Sequence, residues 1–207
     1  MSSTGPDQIS LSAGVRMGDP SAKKWRKIFF LQNVRFHPRC SSLSEINLLI
    51  MKQRVNYYEK GFRDIKPLFN LGAYLAKSPL EQSLLDLVAF RVSQINGCAY
   101  CLDMHSKDMR VHGETEQRLY MLDAWREAPL YTDRERAAFA WAEAVTKLEN
   151  NNVPDEVYEE ALSQFSEEEL VDLTVAVIGI NCWNRLNVAF RTPAGSYVPG
   201  QHAGLLN

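Results

Sequence analysis

Apolar positions in the last three quarters of the chain recur three and four residues apart, the period of a helix with one buried face. Over about 80–96, Leu84, Leu85, Val88, Ala89, Val92 and Ile95 share one side of such a helix. Ser78-Pro79-Leu80-Glu81 stands before it as a cap, a proline at the first helical position and an acid three residues after the cap. Asn96-Gly97 stops it. A second helix is predicted over about 99–112 and ends at Gly113; a third runs over about 115–126 and stops before Pro129. Thr132-Asp133-Arg134-Glu135 is a capping box opening a helix to about 149, and Pro154 begins a short one to about 164. Ser166-Glu167-Glu168-Glu169 caps a long final helix whose acidic first turn suits the macrodipole. Strand alternation is essentially absent, and no glycine-rich phosphate loop occurs. The pattern predicts an all-α helical bundle.

The final helix is apolar almost all round over 170–190 and is interrupted only by Asp172, Asn181, Asn184, Arg185, Asn187 and a few small residues. A bilayer span needs about 20 mostly apolar residues with few charges, so this stretch reads as a buried core helix. Enclosing it on every side points to a homo-oligomer, in which part of its surface meets a second subunit. The alternative is a central helix of a monomer, covered by the helices near 84–95 and 137–148.

Upstream of this pattern the chain changes character. Residues 1–50 hold seven of the 23 Lys and Arg but three of the 25 Asp and Glu. The first twenty residues are rich in Ser, Gly, Pro and Asp, and residues 23–34 (KKWRKIFFLQNV) form a basic and aromatic patch. We expect residues 1–50 to be a poorly ordered N-terminal extension and 51–207 the folded domain, with Met51 placed like a natural start. The opening residues are polar and carry no apolar leader core, so the expected compartment is the cytoplasm.

Composition narrows the function. A hydrophobic fraction of 45% and a charged fraction of 23% are ordinary for a globular domain. A formal net charge of −2 gives no support for binding nucleic acid or an anionic membrane surface. Four cysteines (Cys40, Cys98, Cys101 and Cys182) are too few for a secreted disulfide scaffold. Cys40 and Cys182 read as structural, Cys182 as a buried small hydrophobe.

The chemistry gathers in one stretch, from Asp86 through Arg91, Ser93, Gln94, Asn96 and Gly97 to Cys98-Ala-Tyr100-Cys101 and His105. Cys98 and Cys101 lie three apart where a helix begins; the spacing suits a disulfide, and the helix N-terminus favours a thiolate. His105 follows Cys101 by four, so the two side chains share a face and the imidazole can take the thiol proton. Asp86 sits on the preceding helix; packed antiparallel, its carboxylate can orient His105 or accept a proton, while a plainer role is a partner for Arg91. Tyr100 reads as packing, and His112 as an exposed residue near a helix end.

The run SQINGCAYCLDMH, the segment ETEQRLYMLDAWREAPLYTDRERAAFAWAEAVT and the later NCWNRLNVAFRTPAG resemble the AhpD-like alkylhydroperoxidases of the carboxymuconolactone decarboxylase superfamily. The resemblance covers roughly 51–197. It implies an all-α fold, a homo-oligomer and reduction of hydroperoxides by a redox-active cysteine pair. The family places a Glu twelve residues before the first cysteine and a His four after the second. Here those positions hold Asp86, Cys98, Cys101 and His105, so the carboxylate is kept but is one methylene shorter. In the best-known peroxidase members a second His precedes the second cysteine, where this chain has Tyr100.

By that resemblance Cys101 attacks the peroxide, Cys98 resolves the sulfenic acid into a disulfide, and a dithiol protein or small thiol reduces it. No cofactor or metal is implied. Two rival functions are a CxxC disulfide reductase or electron carrier with little peroxidase activity, and a zinc-binding interaction domain using Cys98, Cys101, His105 and His112.

Overall fold

The structure is a computed structural model in which residues 52–202 are described. The expected N-terminal extension over 1–50, Cys40 included, lies outside them. The described residues form eight α-helices and no strand. These are α1 (Tyr57–Lys60), α2 (Phe62–Leu75), α3 (Gln82–Asn96), α4 (Ala99–Val111), α5 (Glu116–Met121), α6 (Asp133–Lys147), α7 (Asp155–Gln164) and α8 (Glu167–Phe190). Short 3-10 turns follow α5 at Leu122–Ala124 and α6 at Glu149–Asn151.

Two of the three predicted caps act where the sequence places them. Both capping boxes close: Thr132 accepts from the Glu135 N–H and Ser166 from the Glu169 N–H, with each glutamate bonding back. The Ser78-Pro79-Leu80-Glu81 cap does not form. Ser78 Oγ accepts from the Leu80 N–H at 3.3 Å, closing a turn, and α3 begins two residues later than expected. Glu81, in extended conformation, instead pairs with Arg134 at 3.2 Å. The third predicted helix is also shorter, because the chain tightens into the 3-10 turn. That brings Leu122 into the core and lets the Trp125 indole N–H donate to Glu143 at 2.9 Å.

α8 is the central element and packs against α2, α3, α4, α6 and α7. Leu173 and Val177 on α8, Leu87, Val88 and Val92 on α3, and Phe139 on α6 are almost fully buried. Each such side chain contributes about 1.5–3 kcal/mol relative to exposure. α8 is not wholly enclosed, however: Val171, Ile178 and Val188 remain exposed, and Cys182, expected to be buried, is a free cysteine only half covered. Arg91 is buried on α3 and pairs with Glu143 at 2.8 Å and with Asp123, so it is not the partner of Asp86.

Candidate functional site

One turn between α3 and α4 creates the site. Gly97 takes φ 63°, a left-handed conformation that costs glycine little. Its N–H bonds to Gln94 O and the next N–H, of Cys98, reaches back to Ser93 O, satisfying two of the last four carbonyls of α3. Cys98 is thereby the N-cap of α4, and its sulfur accepts from the Cys101 N–H at 3.3 Å. An amide network pins this turn to α8: Asn96 Nδ2 donates to Asn181 and Asn184 Oδ1, each at 2.9 Å, and Asn184 Nδ2 donates to Ser93 Oγ at 3.0 Å.

Cys98 and Cys101 are joined as a disulfide with Cα atoms 5.3 Å apart, and each residue is only 1% exposed. The Cys101 sulfur receives a hydrogen bond from Asn187 Nδ2 at 3.4 Å. That amide also donates to Trp183 O at 3.0 Å, and its Oδ1 accepts from the Tyr57 hydroxyl at 2.8 Å.

His105 lies one turn beyond Cys101 on α4. Its Nε2 is buried with no hydrogen-bond partner among the described residues. Burial disfavours the imidazolium and pulls the pKa down to about 4, the Asp108 charge opposing weakly. The ring is therefore neutral at neutral pH, the state in which it can accept a proton.

Asp86 projects from α3 into a small pocket of about 190 Å³ lined by Ser83, Met109, His112, Gly113 and Glu114. It accepts from Gln82 Nε2 at 2.8 Å, and its other oxygen lies 3.8 Å from His112 Nδ1. Burial raises its pKa against the lowering pull of Gln82 and His112, and Asp108 adds to the rise. At ~1.5 Å per residue, Asp86 is about 15 Å along α3 from its end and His105 about 9 Å along α4. The carboxylate is thus level with Met109, further from the turn than the imidazole.

The segment after α8 crosses the outer face of α4. Gly195 N–H donates to Asp103 at 2.8 Å, Lys107 Nζ donates to the Gly195 and Tyr197 carbonyls, and the Tyr197 hydroxyl donates to Asp108 at 2.8 Å. Tyr100, expected only to pack, has its hydroxyl 2.7 Å from His202 Nε2, and His202 stacks on Tyr58 with ring centroids 5.5 Å apart. Sequence reasoning missed Asn187, Tyr57 and His202. The available signal was the run Asn181, Asn184, Asn187, amides three apart in an otherwise apolar helix.

Among the described residues no group of three or more His, Cys, Asp or Glu side chains is arranged to hold a metal. In the disulfide state the two sulfurs offer no thiolate ligand. Nor is any helix among the described residues long and apolar enough to cross a membrane.

The fold is thus a helical bundle with a cysteine pair at the start of one helix and a histidine a turn beyond. Residues 66–144 match the carboxymuconolactone decarboxylase family. The chain is 41% identical over 146 residues to the uncharacterized protein YdfG of Bacillus subtilis, covering 70% of this chain and 99% of that one. It is 32% identical over 119 residues to the uncharacterized YnjA of Escherichia coli, covering 57% of this chain and 64% of that one. A crystal structure from Agrobacterium tumefaciens, of unknown function and provisionally named as the antioxidant defence protein AhpD, superposes with a TM-score of 0.68. It is 41% identical and covers 70% of this chain and all of its own. The chain belongs to the carboxymuconolactone decarboxylase superfamily, as an AhpD-like member. That membership and the CxxC pair fit a redox role.

Proposed function

We propose that this protein is a thiol-dependent peroxidase that reduces hydroperoxides with the Cys98–Cys101 pair, works in the cytoplasm and assembles as a homo-oligomer. The observation that carries this reading is the helix-capping disulfide with a buried neutral His105 one turn along. Similarity to a protein provisionally named for antioxidant defence supports it.

In the reduced protein the neutral His105 ring accepts the proton of Cys101 and passes it outward, returning to its neutral state. The thiolate attacks the terminal oxygen of ROOH, the O–O bond breaks, and the departing alkoxide takes a proton to leave as ROH. Cys101 is then a sulfenic acid. The Cys98 thiol attacks that sulfur, expelling water and forming the disulfide. A dithiol, itself oxidised to a disulfide, returns both sulfurs to thiols. Asp86 serves as the outer end of the proton path: it is mostly covered, and it touches His112, whose side chain is 64% exposed.

Peroxide consumption with a dithiol, by wild type, Cys98→Ser and Cys101→Ser, each with free-thiol counts after oxidation, tests the proposal. We expect Cys101→Ser to be inactive and Cys98→Ser to stop after one turnover at the sulfenic acid. A wild type that exchanges disulfides with the dithiol but consumes no peroxide would instead make the protein a disulfide reductase. Tyr100 favours that second reading: it stands where peroxidase relatives have a second histidine, and its hydroxyl is committed to His202.

A further inference from the structure

We propose that Asn187 is the group that holds the Cys101 sulfur as a thiolate, with Tyr57 as the positioning residue that fixes the Asn187 amide. This rests on Cys101 being the attacking sulfur.

The orientation of the amide is settled by chemistry. Trp183 O, 3.0 Å away, is a backbone carbonyl that can only accept, so the atom facing it is the Asn187 nitrogen. The same nitrogen lies 3.4 Å from Cys101 Sγ, so an N–H points at the sulfur. On the other side Tyr57, itself buried, donates its hydroxyl to Oδ1 at 2.8 Å. A bond chain therefore runs from Tyr57 through the amide to the sulfur. Placing negative charge on that sulfur strengthens the last link, since hydrogen bonds to an ion are roughly twice as strong as neutral ones.

No other described group does this for Cys101. The Cys101 N–H at the start of α4 is spent on Cys98 Sγ, so the helix N-terminus serves the resolving sulfur. Titratable groups near the pair include His105, His202 and the phenols of Tyr57, Tyr58 and Tyr100. Burial lowers the two histidines and raises the three phenols, so all are neutral where a thiol titrates. A neutral donor is what remains to stabilise the anion. By the helix dipole alone Cys98 would be the more acidic sulfur; Asn187 gives Cys101 a donor of its own.

The test uses the full chain with Cys40, Cys98 and Cys182 changed to Ser, so that Cys101 is the sole thiol. Its pKa is read from the pH dependence of alkylation by iodoacetamide. Asn187→Leu is expected to raise that pKa by about one unit, the worth of one hydrogen bond to a charged group. Tyr57→Phe, which removes only the hydroxyl, raises it by a smaller amount. Circular dichroism and melting check that each variant is folded. An unchanged pKa in folded Asn187→Leu overturns the proposal. If that variant does not fold, Tyr57→Phe decides: a raised pKa supports the proposal and an unmoved one overturns it. Since alkylation needs no peroxide, a wild type without peroxidase turnover would sink the proposed activity and leave the Asn187 result standing.

Discussion

Asp86 Oδ2 lies 3.8 Å from His112 Nδ1, the two side chains meeting across the pair formed by α3 and α4. The carboxylate thus faces the far end of α4 from the cysteines. We expect Asp86→Asn to lower peroxide turnover by about tenfold, less than the 10²–10⁴ of a group transferring the proton itself. Asp86→Glu, which restores the longer side chain, should match or exceed wild type. Steady-state assays decide, and full turnover in Asp86→Asn would remove the carboxylate from the path.

His105 makes stability depend on pH. The unfolded imidazole binds a proton below about pH 6.5, while the native one resists until about pH 4. Its contribution is therefore fully present above pH 6.5 and is lost as the pH falls towards 4, by an amount on the order of 3 kcal/mol. Asp86, with its raised pKa, acts in the opposite sense on acidification. Comparing variants isolates the histidine. Urea unfolding of wild type and His105→Asn at pH 7 and 4.5 should show wild type losing more on acidification. Parallel losses would mean that His105 is not held neutral by burial.

Glu143 is the buried anchor of α6. Its carboxylate accepts from Arg91 at 2.8 Å, Trp125 at 2.9 Å and Arg126 at 2.8 Å, and the Glu143 and Arg91 side chains are only 7% and 9% exposed. Glu143→Ala should cost about 3–5 kcal/mol by leaving a buried guanidinium without its carboxylate. Chemical denaturation measures this; a loss below 1 kcal/mol would show that Asp123 alone satisfies Arg91.

Assembly is tested at the exposed stripe of α8. Val171 and Ile178, seven residues apart, lie on the same face as half-covered Cys182. Light scattering should give an oligomeric mass for wild type and a lower one for Ile178→Asp. A monomer mass for wild type at micromolar concentration would return α8 to the role of a central core helix.

Features set by near neighbours in the chain were legible before any coordinates. The boxes at Thr132 and Ser166, the stop at Gly97 and the spacing of Cys98, Cys101 and His105 each depend on residues within one or two turns. The helices before residue 78 were not, because Gly61, Pro67 and Gly72 punctuate a stretch that only packing against α8 makes regular. Ser78 misled for a related reason: a local turn and the distant Arg134 compete for the residues that would have formed the cap. The surroundings of the sulfurs were missed because the amide run on α8 does not itself tell what it faces: Asn187 comes from 86 residues away and the Tyr57–Asn187 bond spans 130.

That separation has a consequence for biosynthesis. At ~5–20 residues per second, the 86 residues between Cys101 and Asn187 occupy the ribosome for roughly 4–17 s, and the segment bearing Tyr197 and His202 is made later still. Through that interval the nascent chain carries two closely spaced thiols without the amide, the central helix or the crossing segment that enclose them in the folded protein. The cysteine pair is therefore synthesised well before the groups that enclose it, and its buried setting exists only once the last part of the chain has joined the fold.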